Sequence, residues 1–398
     1  MKMLVVSPFL PYPVDSGGKT RLFNLVKEGS KYFSVHFLFV NHGQQKIDLG
    51  DCRLALPGVV FHQVVADNSK FKQLFYLFLR IFGCQFFCYR EIKRTINNIV
   101  LDHRIDVVQF EFSQMIRYCD KRLAAKKALV VHEIIFRSLW RQLSVSSSFK
   151  EKVLNFGRFL FFKLEEINAL KDFDLIIAMS NEDRLYLNQF TRRRDIEIIP
   201  NGVNTAGFSF SKDICPSRQL YFIGWFKNLQ NVDAMDFFLN ELLPVCSNRG
   251  VDFNMKIVGK DASDDLKNSF TKHGFDYIDY LPENMFSSLA NSVLIVPLRF
   301  GGGTRLKILE AMSMGNPVLS SPIGAEGLDL VDGQDVLIYR SQDEFVKKLS
   351  RLLSSSDLWK NLVSAARTKV ESAYDWRVIV KNSLAIYGRL IGNQNDKI

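Results

Sequence analysis

A chain of 398 residues is longer than one ordinary hydrophobic core serves, so two domains are expected. Its 47% apolar and 24% charged residues are the mix of a folded globular protein. Nowhere does it approach the ~20 consecutive apolar residues of a spanning helix, so any membrane contact is expected to be peripheral. The formal charge of +10 is uneven: residues 1–200 hold 30 Lys+Arg against 20 Asp+Glu, whereas 201–398 hold 22 of each. That excess assigns an anionic partner to the N-terminal half, although plain solubility would account for it equally.

Residues 3–6 read as a first buried strand; the run is too short for a signal peptide and is followed by Pro8, Pro11 and Pro13. The six cysteines (Cys52, Cys84, Cys88, Cys119, Cys215, Cys246) form no CxxC pair and show no zinc spacing with the six histidines. They read as reduced thiols of a cytoplasmic protein. The segment Asp15-Ser16-Gly17-Gly18-Lys19-Thr20-Arg21 leads from a loop rich in Pro and Gly into a helix with Leu22, Leu25 and Val26 inward. It has neither the GxxxxGK[ST] nor the GxGxxG spacing. It does offer the N–H groups of Gly17 and Gly18 and two cations at the carboxyl edge of a strand, where ligands gather in open parallel sheets. A binding loop and a plain turn both fit.

Strands follow at 35–40 and 59–64. The segment 70–99 interleaves Phe71, Phe75, Phe78, Phe82, Phe86 and Phe87 with Lys70, Lys72, Arg80, Arg90, Lys93 and Arg94. The segment 149–164 does the same with Phe156, Phe159, Phe161 and Phe162 among Lys150, Lys152, Arg158 and Lys163. Such stretches suit helices lying in a headgroup layer, or ordinary helices packing Phe on a sheet; together with the uneven charge they favour the membrane surface. Strands are expected at 106–110 and 129–131, the second running into His132, a position from which a histidine reaches substrate or serves packing. Asp172-Phe173-Asp174 has the Asp-x-Asp pattern of a different transferase fold, but it precedes a strand and is read as coincidence. After a strand at 174–178 and a helix capped by Ser180, a strand at 196–199 and the turn Pro200-Asn201-Gly202-Val203 close the first half.

The second half restarts the alternation, with strands at 219–223, 253–258, 277–281, 293–296 and 336–339, helices at 231–243 and 283–290, and a helical tail from 343. Two such halves imply an α/β protein of two doubly wound, Rossmann-like sheets facing across a cleft. The chain is organised around Gly301-Gly302-Gly303-Thr304-Arg305-Leu306-Lys307-Ile308-Leu309-Glu310, a glycine loop between the strand at 293–296 and a helix over 304–314 that Gly315 stops. Arg305 and Lys307 in a first helical turn oppose the macrodipole, which makes sense if an anion rests on the loop and helix end. Glu310 shares the face of Lys307 and would meet a polyol. A tight turn with a solvated Lys–Glu pair is the plainer alternative.

Across nearly its whole length the chain resembles glycosyltransferases of the GT-B fold, close to family 4. The likeness rests on Ser7-Pro8-Phe9 through Gly17-Gly18, Ile198-Ile199-Pro200-Asn201-Gly202-Val203, Phe222-Ile223-Gly224, Lys256-Ile257-Val258-Gly259 and Gly301 through Gly324, all in the family's order. The resemblance implies an acceptor-binding domain at 1–200, with a final helix at 377–398 returning to it, and a nucleotide-sugar-binding domain at 201–376. It implies that Glu310 holds the ribose, that Arg305 and Lys307 neutralise the diphosphate beside Gly301, Gly302, Gly303 and Thr304, and that His132 lies near the donor sugar. Gly17 and Gly18 would lie near the diphosphate and acceptor, and backbone groups around Leu281 near the base. Two positions depart from the pattern. Gly302 stands where the family's first glutamate would be, and after Gly224 only Lys227 remains of the usual basic pair.

The expectation is therefore a retaining, metal-independent glycosyltransferase, a hexosyl- or related transferase without cofactor. It would move a sugar from a nucleotide-sugar to a glycan or lipid-linked acceptor in cell-surface polysaccharide synthesis, in the cytoplasm or on the inner face of the membrane. A nucleotide-sugar 2-epimerase of the same fold, or a non-catalytic nucleotide- or lipid-binding partner of a polysaccharide assembly complex, are the alternatives. No nucleic-acid motif is present.

Overall fold

The computed structural model describes residues 1–41, 47–65, 89–145, 149–191, 193, 195–208, 210, 217–281 and 283–392. The chain divides into two compact units: unit 1 is Met1–Asn201 with Trp376–Ile398, and unit 2 is Gly202–Asp375.

Among the described residues unit 1 holds seven strands: β1 (Lys2–Ser7), β2 (Ser34–Asn41), β3 (Val60–Val65), β4 (Val107–Glu111), β5 (Lys126–Val131), β6 (Leu175–Ala178) and β7 (Ile196–Ile198). They are all parallel, in the order β3-β2-β1-β4-β5-β6-β7. Each reads as an apolar run because both faces of a parallel sheet are covered. Alternate residues feed two cores. Leu4, Val6, Leu38, Phe110, Leu129 and Ile176 face one way, with Ile92 and Ile96 of the helix Tyr89–His103. Val5, Phe37, Phe39, Val130 and Ile177 face the other, with Leu22 and Val26 of the helix Gly17–Gly29 and Trp376 and Ile379 of the last helix, Trp376–Leu390. The Tyr387 hydroxyl of that helix donates to Gln109 Oε1 on β4. The order reverses between β1 and β4, which makes their carboxyl ends the switch point of the sheet.

Unit 2 repeats the plan with β8 (Gln219–Ile223), β9 (Asn254–Val258), β10 (Asp276–Ile278), β11 (Val293–Val296), β12 (Val318–Ser320) and β13 (Leu337–Ile338), ordered β10-β9-β8-β11-β12-β13 and parallel. Its switch point lies between β8 and β11. The helices Gln342–Ser354 and Ser356–Lys369 start on Ser341 and Ser355, whose side chains accept from Glu344 N and Leu358 N.

Three elements differ from the sequence pattern. The expected helix over 231–243 is Leu229–Phe237, followed by a wider π turn, Phe238–Leu242, and a short helix, Leu243–Asn248. Pro244 has no N–H to close the regular ladder there. The segment expected as a helix over 283–290 is the 3₁₀ turn Glu283–Leu289. The central helix runs Leu306–Met314, not from Thr304, because Gly301 (φ +122°) and Gly303 (φ +69°) hold the loop in conformations only glycine adopts freely, and Arg305 remains extended at the N-cap.

Of the two stretches expected at a membrane surface, residues 66–88 lie outside the described residues. From Tyr89 the first stretch is a helix whose Ile92, Ile96 and Ile99 are buried on the sheet, so this part is core packing. The second is the helix Phe149–Ala169, which buries Phe162, Glu166 and Ala169 and leaves Phe149, Val153, Phe156, Leu160 and Leu164 exposed. Asp172 pairs with Lys121 and the Asp174 carboxylate accepts from Lys127 N, both structural uses. Among the described residues no helix is long and apolar enough to cross a membrane.

Candidate active site

At the switch point of unit 2, β8 ends at Ile223 and turns through Gly224 into the helix Leu229–Phe237, while β11 ends at Val296 and the glycine loop leads into Leu306–Met314. The neighbouring strands send their loops apart, leaving backbone groups of both at the carboxyl edge of the sheet. A Cβ on Gly301 would stand 2.1 Å from Gln230 Oε1 and 2.7 Å from Arg305 Nη2, so these two side chains converge on bare backbone. Gly224 is confined the same way, since a Cβ there would lie 2.8 Å from Asn231 Cγ. Arg299 makes a two-pronged ion pair with Asp233, at 3.0 and 2.5 Å, tying the β11 loop to the helix that follows β8.

The cations here are held from below. Arg305 is buried, and its guanidinium donates to Gly302 O. Lys307 Nζ donates to Ile223 O at the end of β8, lies 3.4 Å from Asn231 Oδ1, and sits 4.7 Å from the Phe222 ring centroid. Burial pushes the Lys307 amine down to about 7, the Arg305 charge pushes it the same way, and Glu310 opposes them. This amine is therefore about half protonated near neutral pH, and an arriving anion would favour its protonated form. Glu310 lies one turn further along the helix, near enough that its charge, after burial, helps raise the Tyr221 hydroxyl.

At the switch point of unit 1, Gly18 opens a helix against Phe112, whose ring would stand 3.0 Å from a Cβ at that glycine. Phe112 follows β4 with φ +71° and stacks on His132, ring centroids 3.7 Å apart. His132 Nε2 lies 2.5 Å from Glu111 Oε2, and Gln109 Nε2 donates to the other oxygen. Burial alone would raise the Glu111 carboxyl, but the His132 hydrogen bond, with Arg21 and Gln109, holds it below its usual range. Burial lowers His132 despite Glu111. The pair is thus carboxylate and neutral imidazole, with the ring proton on Nε2 and the Nδ1 lone pair unspent. Arg21, 1% exposed, donates to Ile199 O, Pro200 O and Asn201 Oδ1 at 2.6–3.0 Å, stitching this helix to the last residues before unit 2.

Residues 217–355 match the family described as glycosyl transferases group 1. An uncharacterized glycosyltransferase of Methanocaldococcus jannaschii is 23% identical over 400 residues, covering 98% of this chain and 99% of its own. An uncharacterized 44.6 kDa protein in the cps region of Klebsiella pneumoniae is 21% identical, covering 94% and 96%. Among solved structures, HepE of Anabaena in complex with UDP and glucose superposes with a TM-score of 0.68 at 11% identity, covering 98% of this chain and 100% of that one. The protein is a GT-B glycosyltransferase.

In this glycosyltransferase the structure gathers Gly224, Gly301, Gly302, Gly303, Thr304, Arg305, Lys307 and Glu310 onto the two loops and one helix that leave β8 and β11. Arg305 stands at the N-cap instead of in the first turn. Lys227 is exposed 3.5 Å from Asp261, which also accepts from Trp225 Nε1, and Leu281 is buried beyond β10. Gly17, Gly18 and His132 belong to unit 1. Sequence reasoning passed over Glu111, Phe112, Gln230 and Asn231. Glu111 was open to the argument that singled out His132, since it too ends a parallel strand; the other three are defined by neighbours that only the strand order supplies.

Proposed function

We propose that this glycosyltransferase is close to family 4, that unit 2 holds a nucleotide-sugar, and that unit 1 presents the hydroxyl of a glycan or lipid-linked acceptor, with retention of anomeric configuration. The observation that carries the proposal is Lys307, near-neutral and half-buried beside Arg305 and a three-glycine loop at the switch point of unit 2. When the sugar–phosphate bond breaks, negative charge builds on the leaving diphosphate. Donors already aimed at that charge are the largest single effect available, each worth ~3 kcal/mol. The loop N–H groups, Arg305 and Lys307 are such donors, and they supply the positive charge that a divalent ion supplies elsewhere. Glu310 accepts from the ribose hydroxyls, and backbone around Leu281 meets the base. The acceptor hydroxyl attacks from the face the diphosphate leaves, with its proton passing to a diphosphate oxygen. His132, fixed by Glu111 and Phe112, offers Nδ1 as a hydrogen-bond acceptor at the carboxyl edge of the unit 1 sheet, where Gly17 and Gly18 open their helix. The Anabaena neighbour, which holds UDP and glucose, supports the donor class.

The relative in a cps region supports cell-surface polysaccharide synthesis as the setting. The exposed row Phe149, Val153, Phe156, Leu160 and Leu164, flanked by Lys150, Lys152, Arg158 and Lys163, supports docking of unit 1 on an anionic phospholipid surface, where lipid-linked acceptors reside. A panel of nucleotide-sugars screened by thermal shift identifies the donor, because only a ligand bound to the folded state raises the Tm. The product's anomeric configuration, read by NMR, then tests retention. An inverted product would remove the retaining mechanism, and release of a 2-epimer without acceptor would make the enzyme an epimerase.

A further inference from the structure

Away from both switch points, unit 1 brings together three histidines that stand far apart in sequence. His36 is the third residue of β2 and His62 the third of β3; the two strands pair with Leu38 opposite His62, so both rings stand on the same face of the sheet. That face is covered by the helix Tyr89–His103, anchored through Ile92 and Ile96, and its final residue is His103. His36 Nδ1 and His62 Nε2 lie 3.0 Å apart, and a ligand atom from each of the three rings falls within 4.8 Å of the others. A tetrahedral zinc with Zn–N bonds of about 2.0–2.1 Å needs nitrogen atoms about 3.3 Å apart. The first pair is hydrogen-bonded at 3.0 Å, slightly closer than that, so an ion would take the place of the shared proton, and the His103 nitrogen lies within 4.8 Å of both.

We propose that His36, His62 and His103 form a site for a borderline divalent transition metal, zinc above all, with the fourth position open to water. Imidazole is the ligand such ions select. His103 ends its helix, where the carbonyl ends of the backbone favour a cation. Among the described residues Lys2 is a cation beside the cluster, and its Nζ donates to His103 O at 3.1 Å, so it is engaged with backbone. The site sits toward the amino ends of the strands, at the opposite edge of the sheet from Gly18 and His132. Its role is a clip: one ion joins two outer strands to the helix that covers them.

The test uses the full chain without a polyhistidine tag, stripped with chelator. Zn²⁺ is titrated by calorimetry, and Co²⁺ serves as a spectroscopic probe. One equivalent should bind, with the intense visible bands of tetrahedral cobalt and a rise in Tm. His103→Ala and His62→Ala should each weaken binding at least tenfold, while circular dichroism and the sugar-transfer rate stay as in the parent. His103→Ala guards against misfolding, since that ring is not buried. No saturable binding near one equivalent, or binding that both substitutions leave untouched, overturns the site.

Discussion

In unit 2 the strands flanking the switch point end in Ile223 and Val296, and their loops carry Arg305, Lys307 and three glycines. In unit 1 the equivalent pair, β1 and β4, ends in Ser7 and Glu111, beside a neutral His132 and a buried Arg21 that is spent on backbone carbonyls. Both sheets are parallel and both reverse at the same place. What differs is charge: bare N–H groups and cations on one side, a carboxylate holding an imidazole on the other. The first arrangement would stabilise an arriving anion. The second orients a neutral acceptor of hydrogen bonds and leaves no net positive charge for a diphosphate. Position in the fold therefore sets where polar groups gather, and the few residues at the strand ends set their charge.

That contrast can be broken from either side. The largest effect is expected for Lys307→Ala, which should lower turnover roughly 10²- to 10³-fold by removing a donor to the leaving diphosphate, with acceptor KM little changed. Steady-state kinetics showing near-normal turnover would remove Lys307 from this role. Glu111→Gln should cost roughly tenfold in turnover, the value of a charge-assisted hydrogen bond, while leaving UDP affinity unchanged. Since the Glu111 charge raises His132, its loss should also move any His132-dependent limb of the pH profile to lower pH. A fall in UDP affinity in this variant would blur the division between the units.

The pH dependence of donor binding sharpens the same point. With Lys307 at about 7, the free enzyme carries a neutral amine above that pH, and a bound diphosphate raises it again. UDP affinity should be flat below pH 7 and fall by up to ~10-fold per unit above it, with proton uptake on binding at pH 8. Calorimetry in two buffers of different ionisation enthalpy measures that uptake, and Lys307→Met should abolish it. The smallest effect on chemistry is expected on the Phe149–Ala169 helix. Phe156→Ser with Leu160→Ser should release the protein from anionic vesicles, each side chain being worth about 1.5–3 kcal/mol when buried. Turnover with a water-soluble acceptor should stay within about twofold. Unchanged vesicle binding would dismiss this face as a membrane surface.

Most strands were legible because a strand buried on both faces reads as an unbroken apolar run, as 3–6 and 293–296 do. The glycine loop was legible because three glycines between a strand and a helix pattern admit few other uses. The partners of Lys307 were not, since Ile223 O and Asn231 become its neighbours only once β8 lies beside β11. The histidine cluster was hidden for the same reason: residues 36, 62 and 103 match no ligand spacing, and only strand register with a helix end joins them. Along 89–99 the interleaved basic and apolar residues served core packing, because a helix on a sheet and a helix on a lipid surface carry the same periodicity.

One measurement bears most directly on the diphosphate site. UDP binding is compared by calorimetry at pH 7 between the parent chain and a variant carrying Arg305→Glu with Lys307→Glu, its fold checked by circular dichroism. A loss of affinity of about 100-fold or more is expected, from two reversed charges beside the diphosphate. Affinity equal to the parent's would show that the nucleotide rests elsewhere.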